Sequence, residues 1–381
     1  MLTSDSIKLA NSFELVTVEA AMKVKLFKVF SFFFFVLAFS STAFPNETGI
    51  HPQKAAQYIH AVIEANRTIY SEYIVERMEK TVGLKSTENW KEKNALPLPA
   101  QFLALSSKIV NKKNLGLDYR LLSQWPINPL NKPVSEIESA GLTRVSETPS
   151  EPYFEIVSQK GGQLFKAIFP DKAVTKACVN CHNNHPNSSK KDFKLGDVMG
   201  AISLSIPIGK NSGTKNDINI PPEIVSDYIH SVVEADRTVY SETIVNRLQK
   251  INIAFASENW WEEDALLLPA QFLLNASDLI IDRMRNGLDF KLISLWPINR
   301  RNGAATKFER KGLEYVDVHP LRPFIGISQA AEKKYFQAIY PDFAVTDACA
   351  QCHNNHPQSP KKDFKLGDVM GGVLITIPLK N

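Results

Sequence analysis

All four cysteines of the 381-residue chain fall in two pentapeptides, Cys178-Val179-Asn180-Cys181-His182 and Cys349-Ala350-Gln351-Cys352-His353. Four thiols are too few to staple a chain of this size, so they are expected to do chemistry rather than scaffolding. Two intervening residues let both thiols reach neighbouring groups from one tight turn, and the imidazole that follows lies close beneath whatever they hold. C-x-x-C-H is the c-type haem attachment sequence, in which the thiols add across the haem vinyl groups and the adjacent histidine binds iron. Two other chemistries use part of the pattern. A structural zinc site takes the two cysteines and the histidine and wants a fourth ligand, for which His185 or His356 stands at H-x-x-H spacing. A redox dithiol uses the cysteines alone. Covalent haem accounts for the whole pentapeptide in both places, which predicts two haem c groups per chain. Cys178, Cys181, Cys349 and Cys352 would form the thioethers, and His182 and His353 the proximal ligands.

Such an attachment takes place outside the cytoplasm, and the N-terminal region agrees with export. From Met22 the chain has Lys23, Lys25 and Lys28 ahead of an apolar stretch, Val29 to Phe39, and then Ser41-Thr42-Ala43. This is the layout of a signal peptide, with the apolar stretch far short of the roughly 20 residues that span a bilayer. Cleavage after Ala43 is expected, with translation starting at Met22 and a periplasmic mature protein; an uncleaved anchor is the alternative. The composition is that of an ordinary globular protein, with 44% hydrophobic and 22% charged residues. The net charge of +4 comes without a Lys/Arg run longer than two, so no nucleic-acid footprint is present.

The pentapeptides sit in a tandem duplication. His182 to Gly200 and His353 to Gly371 differ at only two of nineteen positions. Tyr58 to Met78 matches Tyr228 to Leu248, Leu98-Pro99-Ala100-Gln101 recurs at Leu268, and Gly116-Leu117-Asp118 recurs at Gly287. Two domains are expected, 51–209 and 221–381, joined by a polar linker over 210–220. Each copy opens with an amphipathic helix, with Tyr58, Ile59, Val62, Ile69 and Tyr73 on one side and His60, Glu64, Arg67 and Ser71 on the other. A short helix follows near Ser135 to Gly141. Strand-like runs lie at Leu121, Tyr153 and Leu164, and the copy closes on the apolar run Ala201 to Ile208. The fold class is α+β, each copy an N-terminal helix plus a small antiparallel sheet with inserted helices.

The combination of Ala65-Asn66-Arg67-Thr68-Ile69-Tyr70, Leu96-Pro97-Leu98-Pro99, Trp125-Pro126-Ile127-Asn128, C-x-x-C-H, Gly196-Asp197-Val198-Met199-Gly200 and a closing strand resembles a family of PAS-like c-type haem domains. That family, long known only as a domain of unknown function, occurs alone and as the extracytoplasmic sensor of signalling proteins. The resemblance implies a PAS-like sheet and one covalent haem per copy. Some relatives use a cysteine as the second axial ligand, and this chain has none to spare.

Two residue pairs shared by the copies are the candidates for the second axial position: His60 and His230 on the opening helix, and Met199 and Met370 at the start of the closing strand. The first pair also suits a solvated helix face, the second a packed core. His185 and His356 follow the proximal histidine too closely to reach the other face of the same haem and are assigned a turn-stabilising or inter-haem role. Arg67 and Arg237 are candidate propionate contacts, and Lys190 and Lys361 read as surface charges. These readings define an exported dihaem c-type cytochrome that transfers electrons to a periplasmic or membrane redox partner, or senses redox state. The alternative is a module that binds a diatomic gas and reports to a separate protein. No acid/base constellation of an enzyme accompanies the motifs.

Overall fold

The computed structural model describes residues 49–159, 161–209, 218–284, 287–330 and 332–379. The signal-peptide segment and most of the expected linker lie outside the described residues. Among the described residues, no helix is long and apolar enough to cross a membrane.

Repeat 1 begins with α1 (Pro52–Ile69), which continues without a break through a π-helical stretch, Tyr70–Glu76, into α2 (Arg77–Val82). Gly83, at φ +73°, ends this rod in the left-handed conformation that glycine takes most readily. Then come α3 (Pro99–Lys112), β1 (Asp118–Leu122), α4 (Glu136–Glu147), β2 (Tyr153–Gln159), β3 (Gly162–Lys172), α5 (Lys176–Asn184) and β4 (Val198–Ile208). Repeat 2 follows the same order, except that two short strands stand where repeat 1 has a lone bridge between Ser86 and Leu96: α6 (Pro222–Thr238), a π-helical Val239–Asn246, α7 (Arg247–Lys250), β5 (Ala256–Ser257), β6 (Leu266–Leu267), α8 (Pro269–Met284), β7 (Asp289–Ile293), α9 (Lys307–Val318), β8 (Phe324–Ala330), β9 (Lys333–Phe343), α10 (Asp347–Asn355) and β10 (Val369–Pro378). The expected α+β class and its duplication are both present.

The sheets run β1-β4-β3-β2 and β7-β10-β9-β8, with every neighbour antiparallel. The closing strands are central, which explains their continuous apolar sequence: both faces are covered. Ile202, Leu204 and Ile206 face the main core, while Ala201 joins Leu122, Leu142, Val145 and Ile168 under α4. The helix comes so close there that a Cβ on Gly141 would lie 2.2 Å from Ile168 Cδ1. Ser135 caps α4 through the Glu138 backbone N–H, and the buried Glu138 carboxylate accepts from Lys166 at 3.0 Å and Arg120 at 3.3 Å.

The repeats form one compact unit with a continuous core. Ile218 and Ile220, the described end of the expected linker, are buried in that core, and Ile220 exchanges two 2.8 Å backbone hydrogen bonds with Ile50. Ile50 and Ile220 occupy the same position in the two repeats. So do Asn66 and Asp236, hydrogen-bonded at 2.6 Å, and Phe102 and Phe272, with ring centroids 5.9 Å apart. Three self-pairings of equivalent residues define a pseudo-twofold axis. Off the axis, contacts occur in reciprocal pairs, as in an isologous dimer interface. Arg77 donates to the Ala265 carbonyl and lies 4.9 Å over Trp260; Arg247 donates to the Ala95 carbonyl and lies 4.9 Å over Trp90. Lys113 pairs with Glu234, and Arg283 with Glu64.

This arrangement buries the opening helix on nearly every side. The polar stripe read as a solvated face lies instead against the helix's own sheet: His60 stacks on Phe169 at 3.9 Å and Arg67 pairs with Asp171 at 2.5 Å.

Candidate functional site

Each C-x-x-C-H motif lies on a short helix, α5 or α10, that follows the long β-hairpin strand β3 or β9. Thr175 caps α5 by accepting from the Cys178 backbone N–H, and its hydroxyl is 3.3 Å from the Cys178 sulfur; Thr346 Oγ1 is 3.2 Å from that of Cys349. Helical spacing of three and four residues places Cys178, Cys181 and His182 on one face, and likewise Cys349, Cys352 and His353. All four thiols are free, with Cys181 and Cys352 exposed.

The helices end at His185 and His356, which turn extended ahead of a proline. Their Nδ1 atoms accept from the backbone N–H groups of Asn187 (3.1 Å) and Gln358 (3.2 Å), and their Nε2 atoms face Glu88 at 3.6 Å and Glu258 at 3.4 Å. The turn-stabilising role is therefore realised, and these imidazoles are directed at carboxylates rather than at the cysteines. Downstream, the Asn183 side chain donates to the Phe193 carbonyl (2.9 Å) and accepts from its N–H (3.0 Å), and Asn354 does the same to Phe364. The clamp fixes the Phe193 ring edge-on to His182, and the Phe364 ring edge-on to His353, both at 5.8 Å. Lys190 and Lys361 are not free surface charges: their ammonium groups sit about 5 Å above Trp125 and Phe193, and above Trp296 and Phe364.

In repeat 2 this helix opens onto a cavity of about 1080 Å³ lined by Cys349, Cys352 and His353. The long helix contributes Arg237, Ser241, Val245 and Gln249, a stripe at four-residue intervals that runs through the π-helical stretch; Asp342, Met370 and Leu292 come from the sheet. Arg237 is bound to Asp342 at 2.5 Å, as Arg67 is to Asp171. Burial holds Asp342 above the usual carboxylate range, with Arg237 pulling the other way. Burial likewise lowers His353, helped by Arg237 and His356, and lowers His182 against the pull of Asp171. Both imidazoles are thus kept in the neutral, metal-binding form. Their Nδ1 atoms are buried without a hydrogen-bond partner.

Burial raises the thiols of Cys181 and Cys352, with Glu258 and Cys349 adding to the effect on Cys352. A redox dithiol of the thioredoxin kind depends on a depressed thiol, so this environment is the wrong one for it. Among the described residues, no group of three or more His, Cys, Asp or Glu side chains is arranged to hold a metal ion, so the zinc arrangement is not preformed.

The other sequence candidates divide. Met370 lines the cavity, buried with Trp296 and Cys349 beside the motif helix, and Met199 packs equivalently with Trp125 and Cys178. His60 and His230 are not brought to the motifs. His230 is absent from the cavity lining and stacks on Tyr340 at 4.0 Å, and His60 lines a different cavity. Both lie two helical turns before Arg67 and Arg237. Burial depresses them to about 4 for His60 and about 3 for His230. Sequence reading missed Ser241, Val245 and Asp342. The first two carry a detectable signal, the spacing of four and eight residues from Arg237, and Asp342 shares its Pro-Asp context with Asp171.

Two α+β repeats, each carrying a C-x-x-C-H helix between the long hairpin strand and the central closing strand, define a tandemly duplicated domain. The Tll0287-like family (Tll0287) matches residues 49–207 and again 223–378, and the chain belongs to that family. No curated protein and no solved structure matches it.

Proposed function

We propose that the chain carries one covalently attached haem in each repeat and acts, after export, as a dihaem c-type cytochrome that relays electrons or reports redox state to a periplasmic or membrane partner. The observation that carries this reading is the single cavity onto which Cys349, Cys352 and His353 open together. Its volume of about 1080 Å³ lies just above the range of small-molecule and cofactor sites, roughly 300–1,000 Å³, so the space suffices for a large cofactor. The donor set fits the group as well: two free thiols, a neutral imidazole on the same helix face, and an arginine in the wall. When bound, haem would supply one-electron chemistry. The chain's own residues do the rest. The Asn354 clamp and the Phe364 ring orient His353, Lys361 adds a positive charge beside Trp296, and Arg237 stands ready to meet a propionate in exchange with Asp342.

One observation favours the gas-binding alternative. The part of the wall built by the long helix offers Ser241 and Val245, neither of which is a strong iron ligand, and the helix histidine is directed elsewhere. Met370 is then the remaining protein candidate for the sixth position.

The test is made on purified holoprotein. Denatured mass spectrometry is expected to show two haem additions that persist through acid-acetone extraction, and a bare polypeptide mass refutes the proposal. Reduced spectra with and without carbon monoxide then separate the two roles. An unreactive six-coordinate iron means electron transfer, and a shifted Soret band means ligand sensing.

A further inference from the structure

The second cavity, of about 480 Å³, lies between the repeats, formed by α1, the end of β3 and α8. Its floor is apolar, with Ala61, Phe169, Leu279 and Ile280. Its rim carries Lys54, Lys172 and Arg283 against a single carboxylate, Glu64, which Arg283 already engages at 3.3 Å. His60 also lines it, and its Nε2 is buried with no hydrogen-bond partner.

The duplication supplies an internal comparison. At the equivalent positions repeat 2 has Ile224 for Lys54, Phe343 for Lys172 and Tyr340 for Phe169. The Tyr340 hydroxyl reaches Asp227, the counterpart of Gln57, at 2.7 Å and Ser226 at 2.8 Å, tying strand to helix where repeat 1 leaves space. Both lysines are thus lost in the copy that is tied shut. Fold maintenance does not require them, since the same backbone does without them in repeat 2.

We propose that this cavity binds a small organic anion, with a carboxylate or phosphate head at Lys54, Lys172 and Arg283 and an apolar body against Phe169 and Leu279. Two cationic side chains in excess of the carboxylate supply the charge complementarity, and the volume falls within the range of small-molecule sites. The site uses none of the cysteines and is independent of the cofactor reading above.

Isothermal titration of the full-length holoprotein with benzoate, phenyl phosphate and inorganic phosphate tests it. Saturable 1:1 binding of benzoate or phenyl phosphate, at least tenfold tighter than inorganic phosphate, is expected; the first two probes distinguish the head groups. Lys54→Ile with Lys172→Phe, which copies repeat 2, is expected to weaken that binding at least tenfold. Lys250→Ala, on an exposed lysine of α7, is expected to leave it unchanged, and thermal melts monitor folding of both variants. No saturable binding, equal binding of inorganic phosphate, or undiminished binding by the folded double variant would overturn the proposal.

Discussion

Replacing Asp236 by asparagine is expected to stabilise the protein more at higher pH, because this carboxyl is fully buried on the pseudo-twofold axis. Its Oδ2 accepts from Asn66 Nδ2 at 2.6 Å. Burial pushes it from 3.8 up to about 7, against the pull of hydrogen bonding. The native state therefore holds this proton up to about pH 7 while the unfolded chain releases it near pH 4. Between those values the native state binds more protons, so the group's contribution to stability is largest at low pH and is lost as pH rises toward 7. A displacement of about three pH units amounts to about 4 kcal/mol when complete. Asparagine keeps a hydrogen bond to Asn66 and cannot ionise. The stability difference between Asp236→Asn and the parent, from urea unfolding, is expected to grow by about 3 kcal/mol between pH 4.5 and pH 8, with the variant the more stable at pH 8. A pH-independent difference, or a variant that loses ground as pH rises, would refute the assignment.

Two further perturbations probe the interface and the iron. Arg77→Ala removes a buried guanidinium that donates to the Ala265 and Trp260 carbonyls and stacks on Trp260. A loss of about 3 kcal/mol is expected, with Arg247→Ala costing a similar amount; urea melts check both. His60→Ala with His230→Ala is expected to leave the visible spectrum of the holoprotein unchanged, since neither imidazole joins its motif. Conversion of either iron to high spin in that variant would restore these residues as ligands.

Much of the fold was legible because its signals are local. The closing strands announced themselves by unbroken apolar sequence, and the motif helices by their cysteine spacing. Ser135 gave the start of α4, although that helix runs six residues past Gly141. What could not be read was the second contact surface of the opening helix. Periodicity distinguishes an apolar from a polar side, and a residue such as Arg67 looks the same whether it meets water or Asp171. The placement of His60 was hidden for the same reason. Its neighbour on the stack, Phe169, is more than a hundred residues away, and nothing in the helix sequence separates a buried stacked imidazole from one that faces a cofactor. The interface was equally hidden, since the residues that exchange contacts, such as Arg77 and Ala265, share no local pattern.

The axis explains why the two copies were free to diverge where they did. In a dimer of identical chains, a residue on the twofold axis meets itself. Two aspartates there would bury a pair of facing carboxylates, of which one must stay protonated, and two asparagines would leave no titratable group. A single chain escapes that constraint, so Asn66 meets Asp236 and one proton is held at the centre of the interface. The same freedom lets Lys172 and Phe343 differ at the edge while His182–Gly200 and His353–Gly371 stay nearly identical. Identity is retained where backbone clamps such as Asn183 to Phe193 must aim one histidine, a requirement that each repeat meets alone. Across the interface the reciprocal anchors Arg77 and Arg247, Trp90 and Trp260, and Phe102 and Phe272 are likewise kept, while positions such as Asn66 and Asp236, or Lys113 and Arg283, have diverged on a surface that the fused chain builds only once.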